Sequence, residues 1–125
     1  MKGQFFAIAM AVLALVGFAA PAAAQEGKQD FTLVNKTGYD IDKVFVSPTK
    51  TDDWEEDVLG KDVLENGDAW TIKFHRSVRT CKWDLKVVYS DDDSSAIWYG
   101  IDLCSVSKIT IRYNRQSDKT SASFE

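Results

Sequence analysis

Cys81-Lys82-Trp83-Asp84-Leu85-Lys86-Val87-Val88-Tyr89 is the stretch that decides the fold. Cys81, Trp83, Leu85, Val87 and Tyr89 fall on one parity and Lys82, Asp84 and Lys86 on the other. A period of two belongs to a strand with one face in a core and the other in water. This is the longest alternating set in the chain, so the strand is expected to be central. Residues 90–95 are polar and read as a turn, after which Ile97, Tyr99 and Ile101 alternate up to Asp102 and complete a hairpin.

Working upstream, Trp70, Ile72 and Phe74 alternate with Thr71, Lys73 and His75, directly after Glu65-Asn66-Gly67-Asp68. Asn-Gly supplies the positive φ that a tight turn needs. Phe31 and Leu33 open a first strand that ends at Asn35. Residues 36–39 turn, and Ile41, Val44 and Val46 form a second strand that Pro48 stops, since proline cannot donate to a ladder. Downstream, Ile109, Ile111 and Tyr113 mark another strand, and residues 120–124 fold back on it across the turn at 114–119.

Residues 51–57 interrupt this regime. Asp52 as a cap and Glu55 three positions later predict one short helical turn. The rest of the crossover is expected to be irregular, with Trp54, Leu59 and Leu64 plugging one end of the core. Six to seven short strands with turns between them define an all-β chain, a small antiparallel β-sandwich. The architecture is immunoglobulin-like by analogy only, because Cys81 and Cys104 are too close in sequence for that family's bridge.

The chain has 125 residues. Lys2 precedes an uncharged apolar run over residues 5–20, then Pro21 and Ala22-Ala23-Ala24, the pattern of an export signal cut before Gln25. The apolar run falls short of the ~20 residues a membrane span needs. Residues 1–24 are therefore expected to be a cleaved signal peptide and residues 25–125 a single domain, periplasmic or secreted, with no transmembrane segment and expected to be a monomer. Removing the leader takes away only Lys2, which leaves 14 basic and 19 acidic side chains, a net charge of −5. An acidic exported domain is a poor partner for nucleic acid. In an oxidising compartment the two cysteines, Cys81 and Cys104, are expected to join in a disulfide.

Phe31-Thr32-Leu33-Val34-Asn35-Lys36-Thr37-Gly38-Tyr39, Trp54 with Asp57-Val58-Leu59-Gly60, Cys81-Lys82-Trp83-Asp84-Leu85 and Asp102-Leu103-Cys104 together resemble small exported bacterial proteins of uncharacterised function. Some members of that group carry the label argininosuccinate lyase. Such a lyase needs a long helical chain, active sites shared in a tetramer and a mobile serine loop. A short β-patterned chain offers none of these. The resemblance implies the fold and brings no catalytic residues with it.

Four constellations are candidates for chemistry. Asp91, Asp93 and Ser95 stand at positions 1, 3 and 5 of a loop with Asp102 at position 12, an oxygen spacing that partly matches a calcium loop. Ala96 replaces the turn glycine and Asp102 the final glutamate, so Ca²⁺ is a secondary expectation, and a different oxygen site would form if residues 91–93 approached the acidic run over residues 52–57. His75 and Ser77 lack the motif context of a hydrolase, and no catalytic residue is expected. Lys73, His75, Arg76, Arg79, Lys82 and Lys86 lie on two consecutive strands and would share one basic face if those strands paired. Trp98, out of phase with Ile97 and Tyr99, is a candidate contact for an envelope protein or glycan, together with Lys73, Lys82 and Lys86. The chain thus reads as a non-catalytic binding or accessory module, with a calcium-binding structural domain as the alternative.

Overall fold

Alternating faces need a second apolar surface to cover them, and this chain supplies it with two sheets. The computed structural model describes residues 27–51 and 53–125. The expected signal peptide, its cut before Gln25 and the Asp52 cap lie outside the described residues. The strands are β1 (Phe31–Lys36), β2 (Ile41–Pro48), β3 (Ala69–Ile72), β4 (Lys82–Tyr89), β5 (Ser95–Asp102), β6 (Lys108–Asn114) and β7 (Lys119–Phe124). One sheet has the order β3-β1-β6-β7 and the other β2-β4-β5, so β4 is central in its sheet as its pattern requires. Every pair is antiparallel except β1 with β6, which run parallel from Thr32 opposite Lys108 to Lys36 opposite Arg112. A parallel pair needs a crossover. Here the crossover includes the whole second sheet.

Phe31, Leu33, Ile72, Ile109 and Ile111 come from the first sheet and Ile41, Val44, Trp83, Leu85, Val87 and Tyr89 from the second, all buried in one core. Leu59 and Leu64 are buried in it as expected, but Trp54 is only half-buried and lies instead beside Lys86, outside the core. The crossover makes no helical turn; no helix occurs among the described residues. Asp57 explains why. Its Oδ1 accepts the main-chain N–H groups of Val44 at 2.9 Å and Leu59 at 3.0 Å, while Val58 N–H donates to Val44 O at 2.8 Å. These contacts fasten the segment along the β2 edge, where a carboxylate competes with helix for the backbone.

Two further differences arise from polar residues with distant partners. The strand expected over Trp70 to His75 stops at Ile72, because the Phe74 N–H is taken by Asp30 Oδ1 at 2.7 Å. Gln29, in the polar stretch of residues 25–29 ahead of β1, is fully buried and donates from Nε2 to Val78 O and Thr80 O at 2.8 and 2.9 Å. It ties the loop before β4 to the start of the domain. Asp84, on the outward parity of β4, is also buried, accepting from Thr49 Oγ1 at 2.9 Å and Gly100 N–H at 2.8 Å.

That last contact marks a bulge that reverses the reading of β5. Leu85 faces Trp98 and Trp83 faces Ile101, so two residues of β5, Tyr99 and Gly100, oppose Asp84 alone. Ala96 and Ile101 point into the core and Trp98 packs against it, whereas Tyr99 is 67% exposed. The outward Trp98 of the sequence reading is therefore corrected to an inward, half-buried one. Gly100 holds φ at +66°, and a Cβ built there would meet no atom within 4 Å. Gly100→Ala should then cost only backbone strain, about 1 kcal/mol in urea unfolding. A loss above roughly 3 kcal/mol would show that the bulge is packed and not merely bent.

Cys81 precedes β4, Cys104 follows β5, and the two form a disulfide with a Cα–Cα distance of 5.2 Å. Leu103 N–H donates to Cys81 O at 2.9 Å beside the Lys82–Asp102 pair. The bridge closes the open end of the β4–β5 hairpin within one sheet. An immunoglobulin bridge joins two sheets, so the analogy extends to the sandwich and not to its brace. Trp83 meets Phe74 edge-on, with ring centroids 4.9 Å apart.

Candidate functional site

A sandwich leaves its sides open where edge strands of opposite sheets face each other. On one side, β2 and the end of β3 flank a cleft of about 570 Å³, roofed by the crossover. Its apolar lining is Val46, Pro48, Ile72, Phe74 and Trp83. One wall carries Asp53, Glu55 and Glu56, and the other Lys73 and His75. Among the described residues the two walls form no ion pair with each other. The cleft therefore offers an aromatic and aliphatic floor between unpaired charges of opposite sign, the usual composition of a recognition site.

The ring of His75 is oriented by its own turn. Nδ1 accepts the Ser77 N–H at 3.1 Å and lies 2.7 Å from Ser77 Oγ. A lone pair engaged by an amide assigns the proton of the neutral ring to Nε2. His75 thus presents a hydrogen-bond donor, and its Nδ1 lone pair is already shared between two groups of Ser77. Such a side chain suits recognition of an acceptor better than abstraction of a proton.

The expected basic face does not form. β3 and β4 are consecutive in sequence but belong to different sheets, so Lys73 stands apart from Lys82 and Lys86. Lys86 lies on the outer face of the second sheet, in the cross-strand row Phe45–Lys86–Ile97, with Nζ 5.8 Å from the ring centroids of both Phe45 and Trp54. Lys82 lies on the opposite side of the sandwich from the cleft. There it lines a groove of about 270 Å³ with Tyr99, Val106 and Phe124, between edge strands β5 and β7. The exposed aromatic of β5 is Tyr99, while Trp98 packs against the core. A glycine two residues after Trp98 was the one sequence signal of the shift.

The oxygen ligands expected for calcium are not brought together. Asp91 and Asp93 occupy the β4–β5 turn and Ser95 opens β5, whereas Asp102 ends it, roughly 20 Å away at the rise of an extended strand. The carboxylates of Asp91 and Asp102 also have other work. Asp91 pairs with Arg115 at 3.0 Å, and Asp102 Oδ1 accepts the Cys104 N–H at 3.1 Å. The acidic crossover does not meet the turn either, because Asp53 and Glu55 lie at the Pro48–Trp83 end of the second sheet and Asp91 at the Ile41–Tyr89 end. Cys81, Cys104 and Asp102 are close together, but oxidised sulfurs are not thiolate ligands. The sequence reading missed a second concave site, built on Tyr39, Tyr89 and Tyr113, because these residues come from three separate strand ends.

No protein-family model matches the chain, and neither a curated protein nor a solved structure matches it.

Proposed function

We infer that the protein is exported after loss of residues 1–24 and acts in the cell envelope as a small non-catalytic binding or accessory module. Its family is the group of small exported bacterial proteins that the sequence resembles. The cleft between β2 and β3 is its recognition surface, and the occupant is an amphipathic polypeptide segment with charges of both signs. The observation that carries this reading is the unpaired opposition of Asp53, Glu55 and Glu56 to Lys73 and His75 across an apolar floor. The disulfide supports an oxidising destination. No helix among the described residues is long and apolar enough to cross a membrane.

Affinity capture from an envelope extract, with bound molecules identified by mass, tests the reading. The double variant Lys73→Glu, His75→Glu reverses one wall at exposed positions, so its melting temperature should stay within about 2 °C of the parent. Capture should fall by roughly tenfold or more. Undiminished capture by this variant would remove the cleft as the recognition surface, and turnover lost on His75→Ala would replace the binding reading with an enzymatic one.

A further inference from the structure

At the end of the sandwich away from the cleft, Tyr39 before β2, Tyr89 at the end of β4 and Tyr113 near the end of β6 converge. Their ring centroids lie 5.8 to 6.4 Å apart. Together with Asp91, Asp92 and Arg115 they line a pocket of about 250 Å³. Arg115 already displays the preference of this wall. Its guanidinium lies 4.1 Å from the Tyr39 ring centroid and 3.0 Å from Asp91 Oδ2.

Two groups remain without a counterpart. Asp91 and Arg115 neutralise each other, which leaves Asp92 with no basic side chain at ion-pair distance among the described residues. Its carboxyl is held below the usual range by hydrogen bonds from the Ser94 hydroxyl and amide, so it is anionic. The second is the Tyr89 hydroxyl. Tyr89 is 5% exposed and lines the pocket, and its buried oxygen has no hydrogen-bond partner among the described residues. Native structures rarely leave such a group unmatched. Burial, with the nearby Tyr113 and Asp92, pushes this phenol up to about 12, so it stays protonated and its oxygen can accept. Tyr113 donates its own proton to Asp118 Oδ1 at 2.9 Å, which directs another acceptor oxygen and a further negative charge to the same end.

We propose that this pocket is a binding site for a primary alkylammonium group, with Asp92 as counter-charge, the Tyr89 oxygen as hydrogen-bond acceptor and the three tyrosine rings as walls. An anion is disfavoured by the two carboxylates of the lining, Asp91 and Asp92, against one guanidinium that Asp91 already pairs. A hard metal ion requires six or more oxygen ligands, and ring faces provide none. The volume fits a small amine, not a large ligand.

The test is a titration of the purified protein with n-butylammonium chloride, followed by NMR of the tyrosine rings, against sodium chloride at equal ionic strength. Butylammonium should shift the Tyr39, Tyr89 and Tyr113 rings saturably. Tyr89→Phe keeps the ring and removes the orphaned hydroxyl, so it should fold at least as well as the parent and bind roughly tenfold more weakly. Asp92→Asn should weaken binding by a similar factor. The proposal is overturned if sodium chloride reproduces the shifts, if they do not saturate, or if Tyr89→Phe titrates like the parent. Because this pocket and the cleft share no residue, the Lys73→Glu, His75→Glu variant should titrate as the parent does.

Discussion

Replacing Cys81 and Cys104 together by serine is expected to lower the free energy of unfolding by roughly 3 kcal/mol, read from urea denaturation. The bridge spans a sequence separation of 23. Closing a loop of that size removes conformations from the unfolded chain, and the cost of opening it follows from loop length alone in the chain-entropy picture. The loss is large on the scale of a small domain, whose whole stability is about 5–15 kcal/mol. Its structural signature should be local first, since the bridge and the Leu103–Cys81 hydrogen bond secure the same end of the β4–β5 hairpin. Amide exchange should rise at Leu103 and Lys82 before it rises at Val87. A stability change below about 1 kcal/mol would show that the paired strands already restrict the unfolded chain as much as the sulfur link does.

Asn35→Ala should be at least as damaging, at roughly 3–4 kcal/mol in the same measurement. Asn35 is fully buried at the end of β1, and its side chain uses both ends of the amide. Nδ2 donates to Tyr39 O at 2.8 Å and Leu64 O at 2.9 Å, while Oδ1 accepts from the Thr37 N–H at 3.0 Å and the Thr37 hydroxyl at 2.7 Å. The main chain of Asn35 also joins Asp68 O and the Gly67 N–H. One residue thus fastens the β1–β2 turn, the Leu64 end of the crossover and the turn before β3. Alanine would strand the Thr37 amide away from water and take one of two donors from each of the Tyr39 and Leu64 carbonyls, which keep the Thr37 hydroxyl and the Ile41 N–H, and unmatched buried groups cost more than the bonds themselves contribute. Thr37→Val removes one hydroxyl, which donates to Asn35 Oδ1 and accepts the Tyr39 N–H at 3.2 Å, and should cost about half as much. Near-equal losses for the two variants would place the effect in the turn and not in the network.

The strands that alternate cleanly were legible because a period of two is a local property. Trp83, Leu85, Val87 and Tyr89 are all buried, and Pro48 does end β2. What escaped depends on partners far along the chain. Gln29, Asn35 and Asp84 are polar residues whose burial is decided by acceptors or donors many residues away. The bulge at Tyr99 and Gly100 inserts one residue and exchanges the faces of everything before it, so Trp98 and Tyr99 swapped roles. Consecutive strands need not pair, which dissolved the basic face. The helical turn lost to Asp57, whose carboxylate had a better use at the β2 edge. The walls of the cleft were visible as charge runs, but their opposition was not, since it arises from β2 and β3 lying in different sheets.

The parallel pairing of β1 with β6 sets an order of events in time. The β4–β5 hairpin is made of near neighbours and can zip as soon as its turn closes. The first sheet cannot, because its two central strands are separated by almost the whole domain. A nascent chain therefore carries its first strand unpartnered on that flank until the sixth has emerged, and assembly of that sheet is governed by slow long-range closure rather than by local propensity. The sulfur-braced hairpin is the natural nucleus, and the N-terminal strand, though first synthesised, is among the last to settle.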